Sequence, residues 1–208
     1  MQVSEAIQHR RSIHHFDPTP VPSTQLREML ALATQAPNAG NRQMWRFIIV
    51  TEEPFRQMLA HLVTRKIDEM VNWPEFLGQE KRLQMLREYA LIFQHAPAVI
   101  FIINQGYHLG IEQMLTEHGM KAHEVEMLFS RPDIQSIGGL IGYLTLIAEE
   151  RGYGTCWSTD ALIARPDLQA ALALPAGEEL VAVLAIGTPA EYPPVKARKP
   201  IDELIQWR

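Results

Sequence analysis

One cysteine, Cys156, stands in 208 residues, so no internal disulfide can form and the chain suits a reducing compartment. Continuous apolar runs fall far short of the ~18 residues that a membrane helix needs. The first twenty residues carry Glu5, Arg10, Arg11 and Asp17 without the apolar stretch of a signal peptide. A soluble, cytoplasmic protein is the expectation. Also absent are a Walker loop, a GxGxxG turn and a Ser-His-Asp nucleophile elbow, which removes the usual signatures of nucleotide hydrolysis, dinucleotide domains and acyl transfer. Positive charge is scarce as well: the formal net charge is -5, and the basic residues form two knots rather than a stripe. That distribution argues against nucleic acid and for a small anion.

What is present is a chain with 47% hydrophobic residues, enough for a sizeable core in a single domain over 1–208. Val3, Ala6 and Ile7 mark a short helix over 2–10. Ser23 or Thr24 can cap a second helix, with Leu26, Met29, Leu30 and Ala33 on one face and Pro37 beyond its end. Trp45 to Val50 reads as a buried strand. A charged helical stretch follows from Pro54 to His95, broken near Trp73-Pro74. Ala98 to Ile103 is apolar at every position, as a central strand covered on both faces would be. Residues 104–132 are polar, rich in Met and His and weakly periodic, which predicts an excursion over the surface or over a ligand. The strongest helix runs from Ile134 to Arg151, and a short strand starts at Thr155-Cys156-Trp157. A helical segment from Ala161 to Leu174 then leads to a second apolar strand, Leu180 to Ile186. Long helices interleaved unevenly with strands favour α+β over a doubly wound sheet.

The basic knots are Arg10-Arg11-Ser12-Ile13-His14-His15-Phe16 and Lys196-Ala197-Arg198-Lys199-Pro200. Guanidinium groups beside a hydroxyl, joined by the second knot, can clamp one phosphate; the same letters also fit a helix C-terminus stabilised by its dipole. Before the first strand, Pro37-Asn38-Ala39-Gly40-Asn41-Arg42-Gln43 places the amides of Asn38, Asn41 and Gln43 in one loop. They suit the carbonyl and ring-nitrogen edge of a heteroaromatic ring, although the string alone is a turn. Gly138 and Gly142, one helical turn apart, allow close approach of another helix or of a flat ring. His118, His123 and Glu124 match no zinc spacing, so no metal is expected. Cys156 lies in an apolar strand without a charged neighbour, which makes a core thiol the default over a nucleophile.

Taken in order, these pieces resemble the FMN-dependent nitroreductase family. The resemblance is carried by Arg-Arg-Ser-x-x-x-Phe at 10–16, by Ala-Pro-x-x-x-Asn-x-Gln-x-Trp-x-Phe at 36–47 and by Gln135-Ser136-Ile137-Gly138-Gly139. Gly152-Tyr153-Gly154-Thr155-Cys156-Trp157 and the closing Ala185-Ile186-Gly187-Thr188-Pro189-Ala190-Glu191 with Arg198-Lys199-Pro200 add to it. It implies an α+β fold with a central mixed or antiparallel sheet flanked by helices, built as an intertwined homodimer with FMN at the subunit interface.

By that resemblance Arg10, Ser12, Lys196 and Arg198 surround the phosphate and ribityl chain, and Arg11 and His14 lie towards the pyrimidine edge. Pro37, Asn38 and Asn41 come from the partner subunit, with Gln43 in the same loop. Ser136 and Gly138 flank the isoalloxazine together with Trp157, Ser158 and Thr159. Ile201 to Trp207, within an arm at 196–208, pairs with the other subunit. The pattern is broken at His14, usually Lys or Arg, at Asn38, often Ser, and at Met44, usually Pro. His14 matters most, because an imidazole is a cation only when protonated.

The implied chemistry is carried by flavin N5, with no catalytic protein residue: a nicotinamide passes hydride to N5 and leaves, and an acceptor then takes its seat. Three functions follow. The first is an NAD(P)H-dependent FMN reductase of nitroaromatics, quinones or a related small acceptor. The second is a flavin dehydrogenase or dehalogenase of a specific metabolite, with 104–132 as a substrate lid. The third is an FMN-binding or storage protein with little turnover.

Overall fold

The computed structural model describes residues 1–107 and 110–208. Among these, the strands β1 (Trp45–Val50), β2 (Ala98–Asn104), β3 (Gly154–Ser158) and β4 (Glu179–Gly187) form one sheet in the order β1-β2-β4-β3. Every neighbouring pair is antiparallel. A parallel bridge from Ser12 to Thr155 extends the outer side of β3, so the expected mixed character is confined to this isolated contact.

All seven residues of β2 are buried because both faces of the sheet are covered. Ala98, Ile100 and Ile102, with Ala182, Leu184 and Ile186 of β4, pack under α2 (Ser23–Ala33) and α7 (Pro132–Glu150). Val99, Phe101 and Ile103 turn to the opposite side, beneath α3 (Glu53–Val71), α4 (Glu80–Ala90) and α8 (Arg165–Ala171). The register slips between Ile102 and Ile103. A shift of one residue reverses which side chains face which layer, so Leu180 joins the face that Val183 and Ala185 occupy.

Several boundaries differ from the sequence expectation. Asn104 belongs to β2 and is buried, since its Nδ2 donates to Asp133 Oδ2 at 2.6 Å; the excursion therefore starts one residue later. It holds two short helices, α5 (Glu112–Glu117) and α6 (Ala122–Leu128), and its positions 108 and 109 lie outside the described residues. The segment expected as one helix from Ala161 to Leu174 is a 3-10 turn, Asp160–Ala164, followed by α8. Pro166 lacks an N–H, so the helical ladder restarts in its first turn.

The chain's two halves meet over a pair of glycines. Gly154 stands opposite Gly187 in the β3–β4 ladder. A Cβ on Gly154 would lie 2.5 Å from Ile13 Cγ1 and 2.9 Å from Pro189 Cγ, and one on Gly187 would lie 2.6 Å from Pro97 Cδ. Only hydrogen at both positions lets the segments 12–17 and 188–191 lie down on the sheet. They are laced by Ile13 N–H to Thr155 O at 3.0 Å, Asp17 N–H to Thr188 O at 2.9 Å and Ala190 N–H to His15 O at 3.0 Å. Gly154→Ala should thus destabilise the fold by about 1 to 3 kcal/mol through overpacking. Urea unfolding measures this, and an unchanged midpoint would mean that the two segments do not depend on the glycine seat.

Candidate functional site

The first helix, α1 (Val3–His9), ends at Arg10, and the chain then runs along β3 while the segment after β4 returns beside it. A cavity of about 700 Å³ lies where they meet, lined by Arg10, Arg11, Ser12, His14, Lys196 and Arg198 along with Glu191 and neighbouring apolar residues. The two basic knots, nearly two hundred positions apart in sequence, thus face one groove. Lys196 and Arg198 are exposed, and Arg10, Arg11 and His14 are half-buried.

Glu191 organises this groove, a role the sequence reading did not assign. Its Oε1 accepts the backbone N–H of His14 at 2.8 Å and of His15 at 3.2 Å. Desolvation raises the carboxyl, but those two donors and the adjacent His15 and His14 rings outweigh it and hold its pKa below the ordinary range. The clamp is therefore complete above the ordinary carboxylate range and is lost as pH falls through the lowered value. The one signal in the sequence was an isolated acid five residues before Lys196, at the edge of the second basic knot.

Arg11 shows the alternative role that its position allowed. Its Nη1 donates to the carbonyls of Gln8, His9 and Arg10 at 2.6 to 2.8 Å, closing the C-terminal end of α1. His14 also lines a second groove of about 480 Å³ against the end of α4, where its ring meets Tyr89 edge-on at 5.6 Å.

The other predicted residues lie in the amide loop, at the start of α7 and at the end of β3, and none of them lines the basic groove. In the amide loop Asn38 turns inward: its Oδ1 accepts Gln43 N–H at 2.9 Å and its Nδ2 donates to Ala36 O at 3.3 Å. Gly40, Asn41 and Gln43 all take positive φ, and Pro37, Asn41 and Gln43 are exposed. Ser136 is buried; its hydroxyl donates to Pro132 O at 2.6 Å and accepts Ala39 N–H at 3.1 Å, which ties the loop to α7. Trp157 approaches Gly138 to 3.9 Å of where a Cβ would stand, and its indole is 46% exposed. Ser158 Oγ bonds both the N–H and the carboxylate of Asp160 at 3.1 Å, capping the following turn, and Thr159 is exposed beside it.

Two further sequence candidates resolve simply. No group of three His, Cys, Asp or Glu side chains among the described residues is arranged to hold a metal ion. Cys156 is a buried free thiol, pushed up to about 11 by desolvation and then by Asp160. At pH 8 about one thiol in a thousand is then a thiolate. Native protein should resist iodoacetamide at that pH and react fully in denaturant; rapid native alkylation, read by mass spectrometry, would contradict the core assignment.

The nitroreductase family model matches residues 7–188. The NADH dehydrogenase of Thermus thermophilus is 30% identical over 206 residues, which cover 96% of this chain and 92% of the relative. The 5,6-dimethylbenzimidazole synthase of Rhodospirillum rubrum is 30% identical over 205 residues, 97% of this chain and 86% of its own. A solved structure, a BluB-like flavoprotein from Clostridium difficile, matches with a TM-score of 0.87 at 26% identity, over 100% of this chain and 99% of the other. With the match running from α1 through the amide loop and the glycine pair to the end of β4, the chain belongs to the nitroreductase family.

Proposed function

We propose that the protein is an FMN-dependent oxidoreductase that uses NAD(P)H to reduce a small acceptor such as a nitroaromatic or a quinone, acting as a cytoplasmic homodimer. The observation that carries this is the convergence of both basic knots on one groove wide enough for a phosphate and its attached chain. Arg10, Ser12, Lys196 and Arg198 fit that group: they offer charged and hydroxyl donors, while the one carboxylate in the lining has its Oε1 engaged by two backbone N–H groups.

FMN, when bound, supplies a ring that accepts and returns a hydride. The protein's share is to hold and shape. Arg10, Ser12, Lys196 and Arg198 would hold the phosphate in the basic groove, and Arg11 and His14, which line the same groove, are assigned to the pyrimidine edge. The amides of Asn38, Asn41 and Gln43 belong to a loop fixed to α7 by Ser136, and we assign this loop to the ring of the flavin in a second copy of the chain. Gly138 and Trp157, with Ser158 and Thr159, provide a flat wall of small and aromatic groups on which a planar substrate can lie.

A second copy is supported by two exposed apolar surfaces. The arm after β4 leaves Val195, Ile201, Leu204 and Trp207 in solvent, Trp207 at 89% exposure. On α7, a Cβ added to Gly139 or Gly142 meets nothing within 4 Å, so that helix face is open to close packing. The Rhodospirillum relative favours a second reading, a flavoenzyme specific for one metabolite. NAD(P)H oxidation with and without a panel of acceptors separates the two, and a protein that binds FMN without turnover would support a storage role.

The purified protein should be a dimer by light scattering and carry FMN identified by mass spectrometry after denaturation. A colourless monomer that takes up no added FMN would remove the proposal. Arg198→Ala should weaken FMN binding by about ten- to a hundredfold through loss of a charge-assisted hydrogen bond, and more than Lys199→Ala does. Fluorescence titration reads both; equal and small effects would take the C-terminal knot out of the site.

A further inference from the structure

On another part of the surface, a cavity of about 320 Å³ opens between the starts of α2 and α3. Pro18, Pro20 and Pro97 wall it, and Ser23, Glu53 and Arg56 contribute its charged and hydroxyl groups. Arg56 is only 7% exposed. Its Nε donates to Gln94 O at 3.1 Å and its Nη1 to Thr51 O at 3.2 Å, both neutral acceptors, and no carboxylate among the described residues forms an ion pair with it. Nη2 has no acceptor among the described residues. No sealed side-chain nitrogen or oxygen lacks a partner among the described residues, so Nη2 must be open to the cavity that Arg56 lines.

A buried guanidinium with no carboxylate in direct contact is costly, since desolvation disfavours its charged form. Burial indeed draws Arg56 below its ordinary value, with Glu53 opposing the shift. Ser23, the first residue of α2, lines the same cavity. Pro22 occupies its N-cap position and makes no side-chain cap, so the leading N–H groups, beginning with that of Ser23, lack the usual capping oxygen. Donors that include a buried cation, on an uncapped helix start, form an arrangement suited to an anion.

We propose that this cavity is a second anion site, distinct from the basic groove, which holds a phosphate-class oxyanion between Arg56 Nη2 and the Ser23 end of α2. Glu53 is exposed at the mouth and works against such a ligand, which gives the proposal a second sign to test. Nothing in it requires the FMN reading to be correct.

The experiment is thermal unfolding of the purified dimer or monomer, with or without FMN, in inorganic phosphate against chloride at constant ionic strength. Phosphate should raise the midpoint of the wild type in a saturable manner. Arg56→Lys keeps a charge but loses the fork, and should weaken the apparent affinity about tenfold. Glu53→Gln should strengthen it about threefold by removing a surface charge. Arg198→Ala, in the basic groove, should leave this response in place. The proposal is overturned if Arg56→Lys leaves the apparent affinity for phosphate unchanged, if Glu53→Gln leaves it unchanged, or if Arg198→Ala abolishes the response. Should Arg56→Lys fail to fold, the Glu53→Gln and Arg198→Ala arms decide the matter.

Discussion

The close seating of two chain segments on the Gly154–Gly187 pair is the constraint on which the rest depends. The side chains of Ile13 and Pro189 over Gly154, and of Pro97 and Phe16 over Gly187, leave no room for a Cβ on either residue. Because the pair sits at the meeting of β3 and β4, the segment leaving α1 and the segment leaving β4 are forced side by side. Glu191 then fixes their mutual register through two backbone N–H groups, and the basic knots beyond it inherit a shared groove. A packing requirement in the sheet is thereby converted into an electrostatic feature at the surface.

The site built on this frame is one of positioning. Cys156, the one soft nucleophile, is sealed in the core with its thiol held protonated. Ser136, Ser158 and Asn38 have their oxygens engaged in fixing the loop, the helix start and the following turn. Polar groups that are satisfied by their own backbone hold geometry rather than transfer protons. Such a scaffold fits a reaction whose chemistry resides in a bound group, and relatives with different names can then share one architecture.

Strong, uninterrupted patterns in the sequence were read correctly. The wholly apolar Ala98–Ile103 suited a strand covered on both faces, and the stripe along α7 marked a helix with one buried face. Misreadings fell where a tertiary partner overrides a local letter. Asn104 looked like the start of a polar excursion, yet Asp133 supplies its amide with a buried acceptor. Pro166 divided an expected helix because position in the first turn, not composition, decides where a proline is tolerated. Arg11 read as a ligand donor and also serves the end of α1, and no sequence rule separates those roles. Glu191 was invisible as an organiser because its partners are backbone atoms more than 170 residues away.

The central claim, that both ends of the chain hold the phosphate of one flavin nucleotide, is tested most directly by comparing FMN with riboflavin, which differs from it by that phosphate alone. The account predicts that the wild type binds FMN far more tightly than riboflavin, and that raising salt narrows the gap. It further predicts that Arg10→Ala and Lys196→Ala each reduce FMN affinity while leaving riboflavin affinity nearly unchanged. Equal affinity of the wild type for the two flavins, or equal losses for both flavins in the two variants, would contradict it.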